Sequence, residues 1–396
     1  MEARAGERRR LPSVLLRGAA LLALALVVAE VAAFAVLHAL VWWRPHLFYT
    51  VDAVGPQEYA DYLASRDPVL GWPGATRLGD GSFDAVGSRR VPAFPDPATA
   101  PALVSLYGDS MTYSLEVGEE DAWGNQLARL LGARVANFGI GGFGTDQAYL
   151  RFLGNHQDEA PIVFLNHFSD DILRDVNRWR YLISTSPQSR LAFKPRFVVE
   201  GERLVPVPLP ELSYDAYVGC VRSGGRCLDD EFFLVDDGRS GILSLRFPYL
   251  LTLLRAKDGL MLGSRLDREP RHARLYRAGH PSDALRVTHL VLRDFVRTAQ
   301  GRGRTPVVTV IPDGKDIEYR RANGAWAYQP LLDLLAADGI EVLDFGPGIL
   351  ARLGERSPCA VINRCYEHFN AEGYRMLAEI AYEHLIARGL VAPPRT

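Results

Sequence analysis

Hydrophobic and polar positions follow two alternating periods along most of the chain after residue 98. Short apolar runs, of the kind that form buried strands, are followed by stretches in which apolar residues recur every three or four positions, as on one face of a helix. The strand-like runs cover residues 103–107, 134–138 and 162–168, and helix-like stretches separate them. This alternation predicts a parallel sheet with helices packed on both of its faces.

The same alternation returns toward the C-terminus. Two helix-like stretches each precede a strand-like run, and a further helix is predicted over 371–388. These stretches and runs are, in chain order, 283–300, 306–312, 328–339 and 340–345. The chain is therefore predicted to belong to the α/β class, and its 396 residues suffice for a large domain with a real hydrophobic core.

One connection in this pattern is much longer than the others. Residues 175–282 lie between the third and fourth predicted strands, which is too long for an ordinary loop and indicates an insertion. The insertion includes a hairpin-like stretch at 196–207 and an apolar segment at 242–254 that is too short to span a membrane. We interpret the apolar segment as an amphipathic helix that either caps the active face of the domain or lies against a membrane.

The N-terminal residues differ from the rest of the chain. Five arginines precede an apolar run over 18–43, which is long enough to cross the roughly 30 Å hydrocarbon core of a bilayer. A cleaved signal peptide, suggested by the small residues Ala33 and Ala35, is the competing interpretation, but the apolar run is longer than a signal peptide needs. We therefore predict a basic cytoplasmic N-terminus at 1–17, one transmembrane anchor at 18–43, and a catalytic domain on the outer side of the cytoplasmic membrane.

Glu30 lies near the middle of the predicted span. A carboxylate at that depth is costly and commonly faces another helix or a polar cavity. A partner membrane helix that meets Glu30 is therefore one interpretation, and a tolerated polar residue is the other.

Composition narrows the class of partner. The net charge is −2, which argues against nucleic acid, because phosphate binding needs an excess of clustered Lys and Arg.

Residues 44–97 are rich in proline and glycine, which predicts a juxtamembrane lead-in with little regular structure before a domain over 98–392.

The four cysteines follow the predicted span on its outer side, where disulfides form. Pairing of Cys220 with Cys227 and of Cys359 with Cys365 is the simplest of the three connectivities. Neither pair has the spacing of a zinc site, so no metal and no other cofactor is predicted.

Ser110 stands at the end of the first predicted strand, in the sequence YGDSMTYS. Ligands of open parallel sheets bind beyond the carboxyl ends of the strands, so a serine there can serve as a nucleophile. A serine N-cap of the following helix is the alternative, and Gly-Asp-Ser by itself does not distinguish the two. A nucleophilic serine needs a base, and His368, in the loop before the final helix, is the best candidate in the sequence.

Three blocks of the sequence resemble those of the SGNH or GDSL hydrolases: YGDSMTYS, NFGIGGFGTDQ and CYEHFNAEGYRMLAE. The resemblance covers roughly residues 67–390 apart from the insertion, and it implies a three-layer α/β/α fold with a flavodoxin-like parallel sheet. It also implies that Ser110 attacks an ester carbonyl, that His368 is the general base, and that the backbone N–H groups of Ser110 and Gly142 stabilise the oxyanion.

Asp170 departs from the pattern of that family, which has at this position an asparagine that donates to the oxyanion. An ionised carboxylate cannot donate a hydrogen bond. Either Asp170 is protonated, or the hole uses backbone donors, or the site performs other chemistry. An inexact alignment, with Asn166 or Ser169 turned inward, is a further interpretation.

The acid that orients the histidine is the second departure, because the family places it two or three residues before the histidine. Here those positions hold a cysteine and a tyrosine. Glu367, Asp344 and Asp313 are candidates for the role, and a Ser-His dyad that uses a backbone carbonyl is equally open.

These residues predict a serine-dependent esterase that acts on acyl esters in the cell envelope through an acyl-serine intermediate. Its substrate would be a small acyl ester or an acylated glycan. One alternative is an O-acyltransferase on an exported or cell-wall polysaccharide, and another is a non-catalytic member that binds a glycan or a partner. A metal-dependent phosphatase built on Asp109, Asp170 and Asp171 is disfavoured, because no ligand pattern accompanies them.

Overall fold

The computed structural model describes residues 13–43, 48–72, 81–239, 242–256, 269–365 and 368–393. Glu367, one of the acids considered for the site, lies outside the described residues. The helices are α1 Ser13–Trp43, α2 Pro56–Ser65, α3 Ser110–Tyr113, α4 Trp123–Leu131, α5 Thr145–Gly154, α6 Tyr214–Ser223, α7 Tyr249–Arg255, α8 Ala284–Gly301, α9 Gly314–Asn323, α10 Gln329–Ala337, α11 Phe345–Leu353 and α12 Ala371–Ala387. The strands are β1 Phe48–Tyr49, β2 Val104–Tyr107, β3 Val135–Asn137, β4 Ile162–Phe168, β5 Arg196–Glu200, β6 Arg203–Val207, β7 Leu243–Ser244, β8 Thr305–Ile311 and β9 Val342–Asp344.

The central sheet consists of parallel strands in the order β3-β2-β4-β8-β9. Numbered within the sheet, this is the order 2-1-3-4-5 of flavodoxin-like folds. Helices α5, α8 and α10 pack together on one face, and helices α4, α11 and α12 pack together on the other. The predicted α/β fold, three layers around a flavodoxin-like parallel sheet, is confirmed.

Strand β4 shows why the strands of this sheet are mostly apolar. All of its residues are buried, as expected for a parallel strand between two helix layers. Its asparagine, Asn166, is satisfied within the core, where the side-chain amide donates to the Tyr107 carbonyl (3.0 Å) and accepts from the Thr309 hydroxyl (2.8 Å). Asn166 therefore holds three strands together.

The predicted insertion contains β5, β6 and α6. Strands β5 and β6 form an antiparallel hairpin, in which Glu200 lies opposite Arg203. Gly201 occupies the turn at φ +61°, a conformation that glycine adopts without strain. The hairpin was expected from the sequence pattern of this stretch.

The lead-in after the predicted anchor differs from its prediction. Proline and glycine suggested little regular structure, yet α2 is a helix of 10 residues. Its tyrosines Tyr59 and Tyr62, three positions apart on one face, are buried in an apolar cluster with α6. The rings of Tyr59 and Tyr217 stack with centroids 4.7 Å apart. Aromatic burial against the insertion thus stabilises a helix that its flanking sequence disfavours.

Helix α1 contains the predicted anchor. Its segment Leu15–Trp43 has a mean hydropathy of 2.7 and is long enough to cross a membrane. Most of this segment is exposed, with 11% of its most apolar window buried. Length and composition are those of a membrane span or a signal sequence, and the side on which the domain lies stays a prediction.

Both predicted disulfides are present. Cys220 pairs with Cys227 at the end of α6, and Cys359 pairs with Cys365 shortly before the final helix. No free cysteine occurs among the described residues.

Candidate active site

Ser110 begins the short helix α3, directly beyond the carboxyl end of β2. The N-cap of this helix is Asp109, whose carboxylate accepts from the backbone N–H of Met111 at 2.8 Å. The serine hydroxyl is therefore not used as a cap, and it lies 3.3 Å from the second carboxylate oxygen of Asp109. Only 5% of Ser110 is exposed. The local fold thus presents this hydroxyl at the sheet edge where ligands of such sheets bind.

His368 lies against this serine. Its Nε2 atom is 2.9 Å from Oγ of Ser110, although the two residues are 258 positions apart in sequence. This distance is a normal hydrogen bond between a serine hydroxyl and an imidazole nitrogen. The structure thus brings together the predicted nucleophile and the predicted base.

The loop that carries His368 is held by several local contacts. The N–H of Asn363 donates to the carbonyl of His368 at 2.8 Å, and Ile362 forms an antiparallel bridge with Phe369. The Cys359–Cys365 disulfide closes the preceding segment. Cys365 also has a positive φ of 71°, which is uncommon outside glycine. The backbone of the histidine is therefore fixed on both sides of the loop.

Glu116 completes the arrangement, and sequence reasoning missed it. Its Oε1 atom lies 3.1 Å from Nδ1 of His368, and its Oε2 atom accepts from the side-chain amide of Asn363 at 2.9 Å. Partial burial would raise the pKa of Glu116, but these two hydrogen bonds and the positive charge nearby outweigh it and lower the pKa. A carboxylate can only accept, so Nδ1 carries the imidazole proton and Nε2 is free to take the proton of Ser110.

Arg89 positions the loop on which Glu116 lies. Its guanidinium donates to the carbonyls of Tyr113, Ser114 and Val117, the last two at 2.9 Å. Glu116 itself has a positive φ of 72°, which a loose loop would not maintain. Because Arg89 is buried, with 4% exposed, its three hydrogen bonds fix the loop from inside the domain.

The other acids considered for this role are committed elsewhere. The carboxylate of Asp344 accepts from the Tyr328 hydroxyl and from the N–H of Gly346, both at 2.9 Å. Asp313 is the N-cap of α9 and accepts from the N–H of Asp316 at 2.7 Å. Neither has a described contact with the imidazole of His368.

Gly142 lies in the turn after β3, where the N–H of Ile140 donates to the carbonyl of Gly108 at 3.1 Å. The turn is closed by a hydrogen bond from the Phe143 N–H to the Ile140 carbonyl at 3.2 Å, and Gly142 has a φ of +85°. A Cβ atom at this position would come within 2.5 Å of Nη1 of Arg180, which donates to the Gly142 carbonyl. Glycine is thus needed for the backbone conformation and for the close approach of the guanidinium.

Arg174 connects the two turns. Its Nη1 atom donates to the carboxylate of Asp109 at 3.1 Å and to the Phe143 carbonyl at 2.8 Å. Burial would lower the pKa of Arg174, but the carboxylates of Asp171, Asp109 and Asp170 outweigh it and raise the pKa. The permanently charged arginine therefore fixes the serine turn relative to the glycine turn.

Asp170 is an acceptor in the structure. It forms ion pairs with Nδ1 of His272 at 3.4 Å and with Nη2 of Arg174 at 4.0 Å. Burial would raise its pKa, but His272, Arg174 and Arg271 outweigh that effect and lower the pKa below its usual range. Asp170 is therefore ionised at neutral pH, which argues against a protonated donor. Ser169, the other candidate, donates to the buried Asp316.

His272, Asp313 and Asp316 form a buried cluster whose ligand atoms lie within 4.8 Å of one another. Such atoms suit a divalent cation, but they already pair with each other. Nε2 of His272 lies 2.9 Å from the Asp316 carboxylate, and Asp313 and Asp316 form a reciprocal capping box. We assign no metal to this cluster.

No protein-family model matches the sequence, and no curated protein matches it. The chain is similar to several solved structures. A member of the lipolytic G-D-S-L family from Veillonella parvula is 10% identical, with 71% of this chain and 96% of that chain covered and a TM-score of 0.35. A lipase/acylhydrolase from Enterococcus faecalis is 12% identical, with 74% and 98% covered and a TM-score of 0.35. An acetylxylan esterase from Geobacillus stearothermophilus is 12% identical, with 72% and 94% covered and a TM-score of 0.38.

Proposed function

We propose that the protein is a serine-dependent esterase that works through an acyl-serine intermediate. The observation that supports this function is the hydrogen-bonded series Ser110–His368–Glu116. A serine hydroxyl is a weak nucleophile until an adjacent base takes its proton, and an imidazole oriented by a carboxylate is such a base. The alternative of a serine that merely caps a helix loses its support, because Asp109 is the cap.

The reaction follows from the positions of these atoms. Oγ of Ser110 attacks the ester carbonyl while Nε2 of His368 accepts the hydroxyl proton and then gives it to the leaving alcohol. Water attacks the acyl-serine in the second half, His368 again accepts a proton, and the carboxylic acid and free serine are released. Throughout, Glu116 holds the imidazole and stabilises its positively charged form.

The oxyanion of each tetrahedral intermediate would be stabilised by backbone donors. The N–H of Ser110 lies in the first turn of a helix, where no intrahelical acceptor exists, and the N–H of Gly142 is the second predicted donor. Asp170 is ionised and cannot take the place of a donating asparagine. Arg180, which donates to the Gly142 carbonyl, adds positive charge beside this turn.

The proposed substrates are acyl esters of the cell envelope. An anchor at 18–43 with the domain on the outer side of the cytoplasmic membrane would place the site among exported and cell-wall polysaccharides and lipids. Acyl transfer to a hydroxyl would use the same acyl-enzyme and differ only in the acceptor, so product analysis with added acceptors separates it from hydrolysis.

The test uses full-length protein in detergent with 4-nitrophenyl acetate as the substrate. Ser110→Ala and His368→Ala should each lower kcat by about 10³-fold or more, and the double variant should be little worse, because the two residues act as a unit. A fluorophosphonate should label Ser110. His156→Ala, a change of an exposed histidine, is the control and should keep full activity. Wild-type rates in a folded Ser110→Ala variant, or no label on Ser110, would leave the non-catalytic alternative as the better account.

A further inference from the structure

Glu30 of the anchor binds the chain's own backbone. Its Oε2 atom accepts from the N–H of Tyr249 at 2.7 Å and from the N–H of Leu250 at 3.3 Å. These are the first two N–H groups of α7, which have no acceptor within their own helix. The mid-span carboxylate thus has a partner inside this chain, and the predicted partner helix from another chain stays a prediction.

The segment 245–256, here called the membrane hairpin, packs along α1. Leu37 of α1 forms a buried cluster with Leu243, which lies just before the hairpin, and with Ala256, its last residue. At the other end of the contact, the rings of Phe34 and Tyr249 meet edge to face with centroids 5.0 Å apart. The chain therefore runs along α1 from the level of Leu37 to the level of Glu30. It turns there, and α7 leads back to the level of Leu37.

The contact with Glu30 gives the depth of the hairpin turn along α1. Glu30 precedes the end of α1 at Trp43 by 13 residues, which corresponds to about 20 Å along a helix. A hydrocarbon core is roughly 30 Å thick. If α1 spans a bilayer, the turn of the membrane hairpin lies near the middle of the bilayer.

The outer surface of the membrane hairpin is apolar. Phe247 is 69% exposed, Leu251 42% and Leu254 62%, while Thr252 and Ala256 are buried. Large exposed side chains on adjacent turns form an apolar surface that is costly in water. Phe34 of α1, whose ring contacts Tyr249, is itself 42% exposed, so exposed apolar side chains lie on both elements of this contact.

Several polar backbone groups around the turn of the membrane hairpin have partners within the protein. Pro248 has no N–H, and Glu30 accepts the next two N–H groups. The N–H of Thr252 donates to the Pro248 carbonyl at 3.1 Å, and its hydroxyl donates to the Arg246 carbonyl at 2.9 Å. Irregular backbone at membrane depth requires such satisfaction, because no water is present there.

We propose that the membrane hairpin inserts into the lipid bilayer beside α1, with Phe247, Leu251 and Leu254 in contact with acyl chains. The protein is then attached to the membrane by a span and by a re-entrant segment that the insertion supplies. Arg246 and Arg255 flank the apolar residues: Nη2 of Arg246 lies 3.2 Å from the Asp236 carboxylate, and Arg255 is in the last turn of α7, so both charges stand at the ends of the apolar stretch. The proposal also requires that α1 is retained, because cleavage after Ala35 would remove Glu30, the acceptor for the N–H groups of Tyr249 and Leu250.

Site-directed spin labelling of the full-length protein in phospholipid nanodiscs tests this placement. All four native cysteines are in disulfides, so a single added cysteine can be labelled selectively. Nitroxides at Leu251→Cys and Leu254→Cys should show a several-fold higher ratio of O₂ to NiEDDA accessibility than one at Leu130→Cys, and position 251 should be deeper than 254. Leu130 is a matched control, since it is 41% exposed on a helix of the catalytic domain.

Two outcomes would overturn the proposal. Water-like accessibility at 251 and 254 would place the hairpin outside the bilayer. Low accessibility to both reagents would mean that another protein segment, and not lipid, covers these residues.

Two variants of Glu30 test its part in the placement. Glu30→Gln keeps a side-chain acceptor and should keep the depth of the label at position 251. Glu30→Leu keeps the span apolar but removes the acceptor, so the label should move toward water or gain mobility. An unchanged label in the Leu variant would show that the hairpin does not depend on Glu30.

Discussion

Nδ1 of His368 lies 3.1 Å from Oε1 of Glu116, so the acid of the candidate site comes from the loop after the nucleophile and not from the segment of the base. Glu116 is six positions after Ser110 and 252 positions before His368. The proposed nucleophile and acid thus share one turn-rich segment, and the proposed base reaches both of them from a segment near the C-terminus.

Replacing the carboxylate of Glu116 should impair the base without disturbing the fold. We expect Glu116→Gln to lower kcat by about 10²-fold or more with little change in KM, because the amide no longer stabilises the charged imidazole. Steady-state hydrolysis of an aryl acetate measures this loss. Glu120→Gln, which changes an exposed glutamate paired with Arg129, is the control and should leave kcat unchanged. Equal activity of both variants would remove Glu116 from the site.

A side chain at Gly142 should affect stability and catalysis together. Gly142→Ala places a Cβ atom at φ +85° and 2.5 Å from Arg180, and should lower the unfolding free energy by about 1–2 kcal/mol. It should also lower kcat, because the turn that carries a predicted oxyanion donor shifts. Gly132→Ala is the matched control, with φ +61° and open space around the new atom. Urea unfolding should show a lower unfolding free energy in both variants. Kinetic assays should show a lower kcat only in Gly142→Ala.

The two disulfides close loops of similar length and should differ in their effect on activity. Serine in place of both cysteines of either pair should cost about 2 kcal/mol of stability by the chain-entropy argument. Only the loss of Cys359–Cys365 should lower kcat, because Cys365 is three residues before His368. The Cys220–Cys227 pair, which joins α6 to the segment after it and is distant in sequence from Ser110, Glu116 and His368, is the control. Equal kcat in the two double variants would show that the bridge does not position the base.

The buried ion pairs of His272 should make stability fall with rising pH. Burial would lower the pKa of His272, but Asp316, Asp170 and Asp313 outweigh it and raise the pKa well above 6.5. The charged imidazole therefore contributes fully below pH 6.5, and its contribution is lost as the pH rises through the folded-state pKa. Above pH 6.5 the slope from this group is up to about −1.4 kcal/mol per pH unit.

The matching variant is His272→Gln, which cannot carry the charge. The stability difference between wild type and variant should be largest at pH 6 and should shrink toward pH 9, as measured by urea unfolding at each pH. A difference that is constant across this range would mean that the imidazole is neutral in the folded protein.

Local pattern was sufficient for the sheet, its order of strands and helices, and the place of Ser110. The five strands of the sheet are apolar because they are buried, and burial leaves a direct trace in the sequence. The disulfides could also be predicted, since each joins cysteines less than ten positions apart.

Contacts between distant segments were not predictable in the same way. Glu116 has no motif around it, and its place beside His368 depends on the guanidinium of Arg89 and on the turn at Cys365. Asp170 looked anomalous in sequence because His272, its partner, is more than a hundred positions later. Helix α2 was missed because its tyrosines become stabilising only when the insertion covers them.

If α1 is a membrane anchor, the short parallel pairing of Phe48–Tyr49 with Leu243–Ser244 limits how far the domain can move away from it. A domain on a flexible linker can occupy a volume that grows with the length of the linker. Its effective concentration at any fixed target falls accordingly. Here the strand after the predicted anchor pairs with β7 of the insertion, and β7 packs against α1, so a retained anchor would hold the domain close to the membrane. Esters held at one height above the bilayer would then be met at high effective concentration, whereas esters on long free polymers would have to diffuse to the enzyme.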